Sequence, residues 1–365
     1  MLKNSNNSGI TLIALIITII VMLILVAVTV NVAVNSGLFG HAKNATQGWK
    51  SEEEKESNIG NDNYIKDTVN QYTGEQNGNP MTTDRSFLKV GDYIDYMPDT
   101  AENYMDLDYK KSGSSTNPVE GIAQDMTLKW RVMNINNDGS VDLISATPVT
   151  INIFFQGSLG YNNGVLLLND LCKTQYSNST LEVTARSIDL EDIEKKFNST
   201  GIAARNAFTT SGLQYGDVKT YSGSSSYAPD IYDHVGKTTA EESKDYYTTP
   251  TTATSTQKGT LEIQQTDYGF QTQPNYFDDS TFHELIFGTG TYYWLATRSV
   301  NCQSNIAYFC LRYVNGSNLT GDRLFFSTND AYDTGFFLRP VVSLGSNIKI
   351  STDGGTADSP RALSK

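Results

Sequence analysis

The sequence predicts an α+β protein: a long N-terminal helix, first transmembrane and then a stem, precedes a mixed, loop-rich head with a small antiparallel sheet. Three observations predict this fold class. Residues 10–30 contain no charged residue, Gly or Pro. Apolar residues recur at helical spacing over much of 31–73, and four strand-like runs lie within residues 292–344. These patterns separate one membrane segment from one large domain outside the membrane.

The apolar run has the length of a transmembrane helix. Fifteen of its 21 residues are Leu, Ile or Val. A helix of this length rises about 31 Å, close to the thickness of the hydrocarbon layer of a bilayer. The run is too long for the apolar core of a cleaved secretory signal, which excludes that class of segment. We therefore predict a transmembrane helix over residues 10–34.

The rest of the chain is divided by its periodicity and composition. Leu38, Ala42, Ala45 and Trp49 recur at helical spacing, whereas the Gly- and Asn-rich stretch that follows residue 73 shows no period. The predicted segments are a stem helix at 35–73, a linker at 74–85, an extracellular head at 86–350 with a polar insertion at 200–275, and a flexible tail at 351–365.

Within the head, several shorter elements have local signals. Asn137-Asp138-Gly139 between two alternating runs predicts a β-hairpin. Helices are predicted at 164–173, at 190–197 with Ser187 or Asp189 as N-cap, and at 281–287 after Asp278-Asp279-Ser280. Strands are predicted at 292–298, 306–314, 323–326 and 335–344, the last one an edge strand or bulged at Pro340.

Composition limits the classes of function. The net charge of −13 and the pI of about 4.7 argue against binding to a nucleic-acid backbone. The three cysteines allow at most one bridge within the chain and show no metal spacing. His234 near two aspartates is better explained by a turn than by a metal site, and the pairs Asp106/Asp108 and Asp330/Asp333 do not have EF-hand spacing. We therefore predict no metal, no cofactor and no catalytic residue.

The N-terminal residues carry a family resemblance. Gly9-Ile10-Thr11-Leu12-Ile13, after the polar leader 1–9, resembles the cleavage and methylation motif of type IV pilins and pseudopilins. The resemblance implies that a prepilin peptidase cuts after Gly9 and N-methylates Ile10. The family usually places a Glu at the fifth mature position, where this chain has Ala14. Some pseudopilins at a filament tip also lack this Glu, so the departure indicates a tip or minor role.

The head shows a second resemblance. Trp130-Arg131-Val132, the run 293–298 and the run 339–344 resemble an uncharacterised surface domain of Gram-positive bacteria. That domain is distantly similar to C-type-lectin-like and formylglycine-generating-enzyme-like folds. The resemblance implies a fold and no chemistry. Cys302 and Cys310 do not have the spacing of the redox pair in formylglycine-generating enzymes, which leaves a bridge or two inert thiols.

The candidate ligand-binding residues lie on the aromatic strands. They are Trp294, Arg298, Arg312 and Arg339. Arginine beside aromatic rings suits a sugar or a carboxylate ligand. The alternative is that each Arg binds a buried carboxylate or carbonyl and holds the sheet together.

The functional expectation follows from these observations. We expect a minor pilin or pseudopilin with a non-catalytic extracellular head for assembly, adhesion or binding of a carbohydrate or a protein. Its partners would be the peptidase, the bilayer and other pilin-like subunits, which it would meet through its N-terminal helix. The alternative is an unprocessed single-pass anchored protein with a lectin-like module. A third class is an extracellular enzyme related to formylglycine-generating enzymes.

Overall fold

The described part of the chain is mainly β. The computed structural model describes residues 22, 80–105, 112–114, 120–210, 212–223, 259–303, 306–326 and 332–365. Of these residues, 41% lie in strands and 20% in helices. The predicted α+β class with a small antiparallel sheet is therefore wrong for the part of the chain that the structure describes. Long-range strand pairing gives two large sheets, and the segment 200–275, predicted as a polar insertion, also contains strands.

The predicted leader, transmembrane helix and stem helix lie outside the described residues, apart from Met22. Among the residues that are described, no helix combines the length and the apolar character needed to cross a bilayer. The described head lies within a unit formed by Gly74–Lys365.

The first large sheet has five antiparallel strands. The predicted hairpin supplies two neighbouring strands of this sheet. It forms because Gly139 adopts the positive φ of 84° that the tight turn needs and because the flanking runs alternate in sequence. In spatial order the strands are β2 (Tyr93–Ile94), β5 (Trp130–Ile135), β6 (Val141–Ser145), β18 (Pro340–Leu344) and β8 (Ala185–Ser187).

The second large sheet has six strands and contains the predicted runs 292–298, 306–314 and 323–326, which are confirmed as strands. The predicted run 335–344 is divided between this sheet and the first. Its pairs are antiparallel except for β14 and β17, which run parallel. In spatial order the strands are β13 (Phe270–Gln271), β16 (Asn318–Phe326), β15 (Ile306–Asn315), β14 (Tyr293–Gln303), β17 (Asp333–Leu338) and β7 (Val149–Gln156).

The chain passes directly from the second sheet to the first at Arg339. Strand β17 ends at Leu338 and β18 begins at Pro340. Strand β18 lies between β6 and β8, so Pro340 is not on an edge strand. The single strand predicted at 335–344, an edge strand or bulged at Pro340, is instead two strands separated at Arg339. Proline is tolerated because it is the first residue of its strand.

A small sheet joins the two ends of the head. Strand β19 (Lys349–Ser351) pairs with β1 (Met81–Thr82) on one side and β20 (Leu363–Ser364) on the other. Arg361 also donates from Nε to Asp92 at 3.0 Å. The segments expected to be a linker and a flexible tail thus contribute strands here. The other small sheets pair β3 (Tyr104–Met105) with β4 (Glu120–Ile122), β9 (Thr209–Thr210) with β10 (Leu213–Gln214), and β11 (Val218–Gly223) with β12 (Gly259–Gln264).

Four α-helices occur among the described residues, and the predicted three are among them. They are α1 (Gly157–Tyr176), α2 (Leu190–Glu194), α3 (Ser199–Ala207) and α4 (Ser280–Phe287). Helix α1 buries Val165, Leu168 and Leu171 against the core and contacts both large sheets. Gly164 permits this approach, since a Cβ there would lie 2.9 Å from Leu311 Cδ2. Helix α2 begins in a capping box at Asp189.

Candidate functional site

The four predicted ligand residues are all completely buried. Trp294, Arg298, Arg312 and Arg339 each have an exposed fraction of 0%. Trp294 donates from its indole Nε1 to the carbonyl oxygen of Ile153 at 2.7 Å. The contacts described for these side chains are with the protein itself, so we look for the binding site elsewhere.

Two of these arginines bind backbone carbonyls across the second sheet. Arg298 donates from Nε and Nη2 to two carbonyl oxygens of α1, those of Tyr161 and Asn162, each at 2.9 Å. On the opposite face of the sheet, Arg312 donates to the carbonyl of Thr266 and lies 3.5 Å from a carboxylate oxygen of Asp267. These contacts agree with the alternative interpretation of the sequence, in which each arginine binds a buried carbonyl or carboxylate and holds the sheet together.

Arg339 joins both large sheets to the end of α4. Its Nε and Nη2 donate to the carbonyl oxygen of Ser145 at the end of β6, at 3.2 and 3.1 Å. Its Nη2 and Nη1 also donate to the carbonyls of Leu285 at 2.8 Å and Ile286 at 3.2 Å. These two carbonyls belong to the last turn of the helix, where no intrahelical donor reaches them. Arg339 therefore caps α4 and fixes it against the sheets.

The outer face of this fixed helix lines a surface cleft. Helix α4 begins at the N-cap Asp279, whose carboxylate accepts from the backbone N–H of Thr281 at 2.8 Å. Phe282, Leu285 and Ile286 are buried, which turns the other face of the helix outward. The cleft has a volume of about 380 Å³. Its lining residues are Pro274, Ser280, His283, Glu284, Phe287, Gly288 and Ser317.

His283 is held in one orientation at this cleft. Its ring centroid lies 5.5 Å from that of Phe277 and 5.0 Å from that of Phe287. Its Nε2 lies 3.3 Å from the Thr272 hydroxyl, which donates its own proton to the carbonyl of Ser317 at 2.6 Å. The hydroxyl can then only accept from the ring, so Nε2 carries the proton in the neutral tautomer and Nδ1 is an acceptor.

The electrostatics of the cleft select among ligands. Partial burial lowers the pKa of His283, and the opposing effects of Thr272 and Glu284 do not reverse this. The ring is then neutral at pH 7, and Glu284 supplies a negative charge beside it. A neutral acceptor, a carboxylate and the apolar surface of Pro274 suit a polar ligand that is uncharged or cationic. The same carboxylate repels an anion.

We expect the pKa of His283 to lie below its ordinary value of about 6.5. The unfolded chain then takes up this proton at a higher pH than the folded chain. Folding stability is therefore lost as the pH falls below about 6.5, by about a few tenths of a kcal/mol, because solvent screens a partly exposed ring. The checks are an NMR pH titration of the His283 ring and urea unfolding at pH 7.5 and 5.5.

His283→Gln is the matched variant for this titration. It removes the titrating ring and keeps a polar side chain, while every other ionisable group remains. The loss of stability between the two pH values should be smaller in the variant than in the original protein. An imidazole that titrates at or above its ordinary value would contradict the expectation.

The cysteines do not form a shared site. Cys172, Cys302 and Cys310 are buried thiols. On the paired strands β14 and β15, Cys302 lies opposite Ala307 and Cys310 lies opposite Ser299. Since side chains alternate between faces, these two thiols lie on opposite faces of the sheet. Burial raises the pKa of Cys172 and Cys310 well above the ordinary value, which makes both poor nucleophiles. The two cysteines on these strands therefore give no support to an enzyme related to formylglycine-generating enzymes.

The other residues weighed from the sequence give no site in the described regions. Within those regions, no three His, Cys, Asp or Glu side chains converge in the way that a metal ion needs. His234, Asp106, Asp108 and Asp330 lie outside the described residues. The cleft was not predicted from the sequence. The available signal was His283-Glu284 on the polar side of an amphipathic helix, but the turn at Ser317 that completes the cleft lies far along the chain.

Comparison of the chain with protein-family models, with curated proteins and with solved structures gives no match.

Proposed function

We propose that this chain is a pilin-like surface protein, a minor pilin or pseudopilin that a prepilin peptidase processes after Gly9. The observation that carries the proposal is the order of residues at the N-terminus: a short polar leader, Gly9, and then 21 residues without charge, Gly or Pro. Glycine makes the scissile bond accessible, and the apolar segment retains the product in the bilayer.

The head then serves assembly, adhesion or ligand binding outside the cell, without catalysis. The cleft on α4 is the part of the described surface where we place a ligand, and its chemistry suits a carbohydrate hydroxyl or a basic group of a protein. The acidic charge of the whole chain argues against a nucleic acid as partner. The partners in assembly are the peptidase, the lipid bilayer and other pilin-like subunits, which bind through the apolar segment.

Ala14 limits the position of the chain in a filament. After cleavage, a neighbouring copy of this chain has Ala14 at the fifth mature position. It therefore offers no carboxylate there to neutralise the new amine of Ile10. An unneutralised ammonium is costly among apolar segments. This favours a tip or minor position, where few copies are needed, over a role as the main repeating subunit.

Processing is the decisive test. In protein purified from the membrane of its native host, we expect mass spectrometry to find N-methyl-Ile10 as the first residue and no peptide from residues 1–9. Gly9→Val should retain the leader, because a β-branched residue restricts the bond that the peptidase must reach. Gly37→Ala, outside the motif, is the matched control and should be processed normally. An intact Met1 on the mature protein would contradict the proposal and favour the permanently anchored alternative.

A further inference from the structure

A lysine, an asparagine and an aspartate meet where the turn after α2 packs on the first sheet. Lys196 donates from Nζ to the side-chain oxygen Oδ1 of Asn134. Asn134 in turn donates from Nδ2 to Oδ2 of Asp142 at 3.2 Å. The exposed fractions of Asn134 and Asp142 are 6% and 5%. An amine, a carboxamide and a carboxyl group are thus in direct succession at a largely buried place.

The surrounding residues hold this succession in place. Asn134 and Asp142 are register partners on β5 and β6, so the backbone fixes the amide beside the carboxylate. Oδ2 of Asp142 also accepts from Nδ2 of Asn136 at 3.1 Å, and Oδ1 accepts from the hydroxyl of Ser343 at 2.7 Å. Lys196 follows α2, and its backbone N–H donates to Ile193 at 3.1 Å. The reacting groups are therefore oriented before any reaction.

We propose that Lys196 and Asn134 join in an intramolecular isopeptide bond, with Asp142 as the proton relay and ammonia as the leaving group.

The proposed reaction balances in atoms and electrons without a co-reactant. The ammonium of Lys196 gives up one proton, and the free amine attacks Cγ of Asn134. A new bond forms between Nζ and Cγ, and the bond between Cγ and Nδ2 breaks. The carboxyl of Asp142, hydrogen-bonded to Nδ2, passes the proton of the attacking nitrogen to the leaving one. Nδ2 leaves as ammonia and takes up the first proton as ammonium, so no oxidant, reductant or metal is required.

Lys196 is better placed for this attack than its neighbour Lys195. The Nζ of Lys195 is directed to carboxylates instead, at 3.2 Å from Asp192 and 3.9 Å from Asp142. Burial and the charge of Lys195 lower the pKa of Lys196, against the opposing carboxylates of Asp142, Asp279 and Asp278. This increases the fraction of Lys196 that is a free amine, the form that attacks.

The bond closes a covalent loop between positions 62 residues apart, from the centre of the first sheet to the end of α2. Such a link removes conformational freedom from the unfolded chain in the way that a disulfide does. The three cysteines are buried thiols and supply no such link. The isopeptide bond also resists reducing agents, so its effect persists where a disulfide would open.

Peptide mapping of the purified full chain tests the proposal. Trypsin should not cut after Lys196, because the acylated side chain no longer carries a charge. We expect peptide 132–173 joined to peptide 196–205, with the summed mass reduced by one ammonia molecule. Separate peptides of unmodified mass, with normal cleavage after Lys196, would overturn the proposal. The N-terminal peptides are read in the same experiment and report independently on processing after Gly9.

Three variants assign the roles. Lys196→Arg keeps the positive charge and cannot form the amide, so its map should show unlinked peptides and its melting temperature should fall. Lys195→Arg is the matched control on the neighbouring residue and should retain the link. Asp142→Asn removes the proton relay and should leave most of the chain unlinked. A link that persists in Lys196→Arg would assign it to another residue and contradict the proposal. The map of the original protein decides the outcome even where a variant fails to fold.

Discussion

Arg339→Met is expected to lower the free energy of unfolding by about 3–5 kcal/mol, because it leaves buried backbone carbonyls without a donor. Methionine fills much of the volume of the arginine stem but supplies no N–H. The carbonyls of Ser145 and Leu285 then lose the guanidinium that lies within 3.2 Å of each. Since Leu285 is in the last turn of α4, no backbone N–H of the helix can replace the guanidinium as the donor to its carbonyl.

Urea unfolding followed by far-UV circular dichroism measures this loss. Arg323→Met is the matched control, because Arg323 is an exposed arginine on β16 and its truncation should change stability by less than about 0.5 kcal/mol. Arg339→Lys tests the geometry, since a lysine keeps a charge but cannot reach three carbonyls from one planar group. If Arg339→Met were as stable as the original protein, Arg339 would not be the cap of α4.

Trp294→Ala is expected to cost a similar amount, about 3–5 kcal/mol, through the cavity that it opens in the core. The indole is completely buried and its ring centroid lies 4.6 Å from that of Phe336 and 5.5 Å from that of Phe155. The truncation also leaves the carbonyl of Ile153 without the donor at 2.7 Å.

Two further variants separate packing from hydrogen bonding. Trp294→Phe keeps an aromatic ring and removes the indole N–H, so it should cost about 1–3 kcal/mol, less than the alanine variant. Tyr292→Ala is the control on the adjacent residue, which is 47% exposed, and should cost less than about 1 kcal/mol. Equal losses for Trp294→Ala and Tyr292→Ala would show that the buried aromatic group is not a stabilising core.

The strands and short helices of the head were predictable where their signals are local. The hairpin has Asn137-Asp138-Gly139 between alternating runs, and α4 has an acidic N-cap before an amphipathic stretch. The fold class was not predictable in this way. Pairing such as that of Met81 with Ser351 joins residues at opposite ends of the head, and no local pattern encodes it.

The candidate site shows the same division. Arg339 was singled out for its chemistry on an aromatic strand, but its role depends on Ser145 and Leu285, which folding brings together from distant positions. A buried arginine and a ligand-binding arginine have the same appearance in a sequence. The cleft at His283 and the succession at Asn134 likewise depend on three separate segments each.

The arrangement of β1, β19 and β20 has a practical consequence for labelling. The strand that enters the head and the strand that ends the chain both flank β19. A fluorophore or affinity tag fused after Lys365 therefore emerges from the strand on the other side of β19 from residues 81–82 and reports on this small sheet. A probe meant for the cleft on α4 should be attached instead near the turn at Ser317.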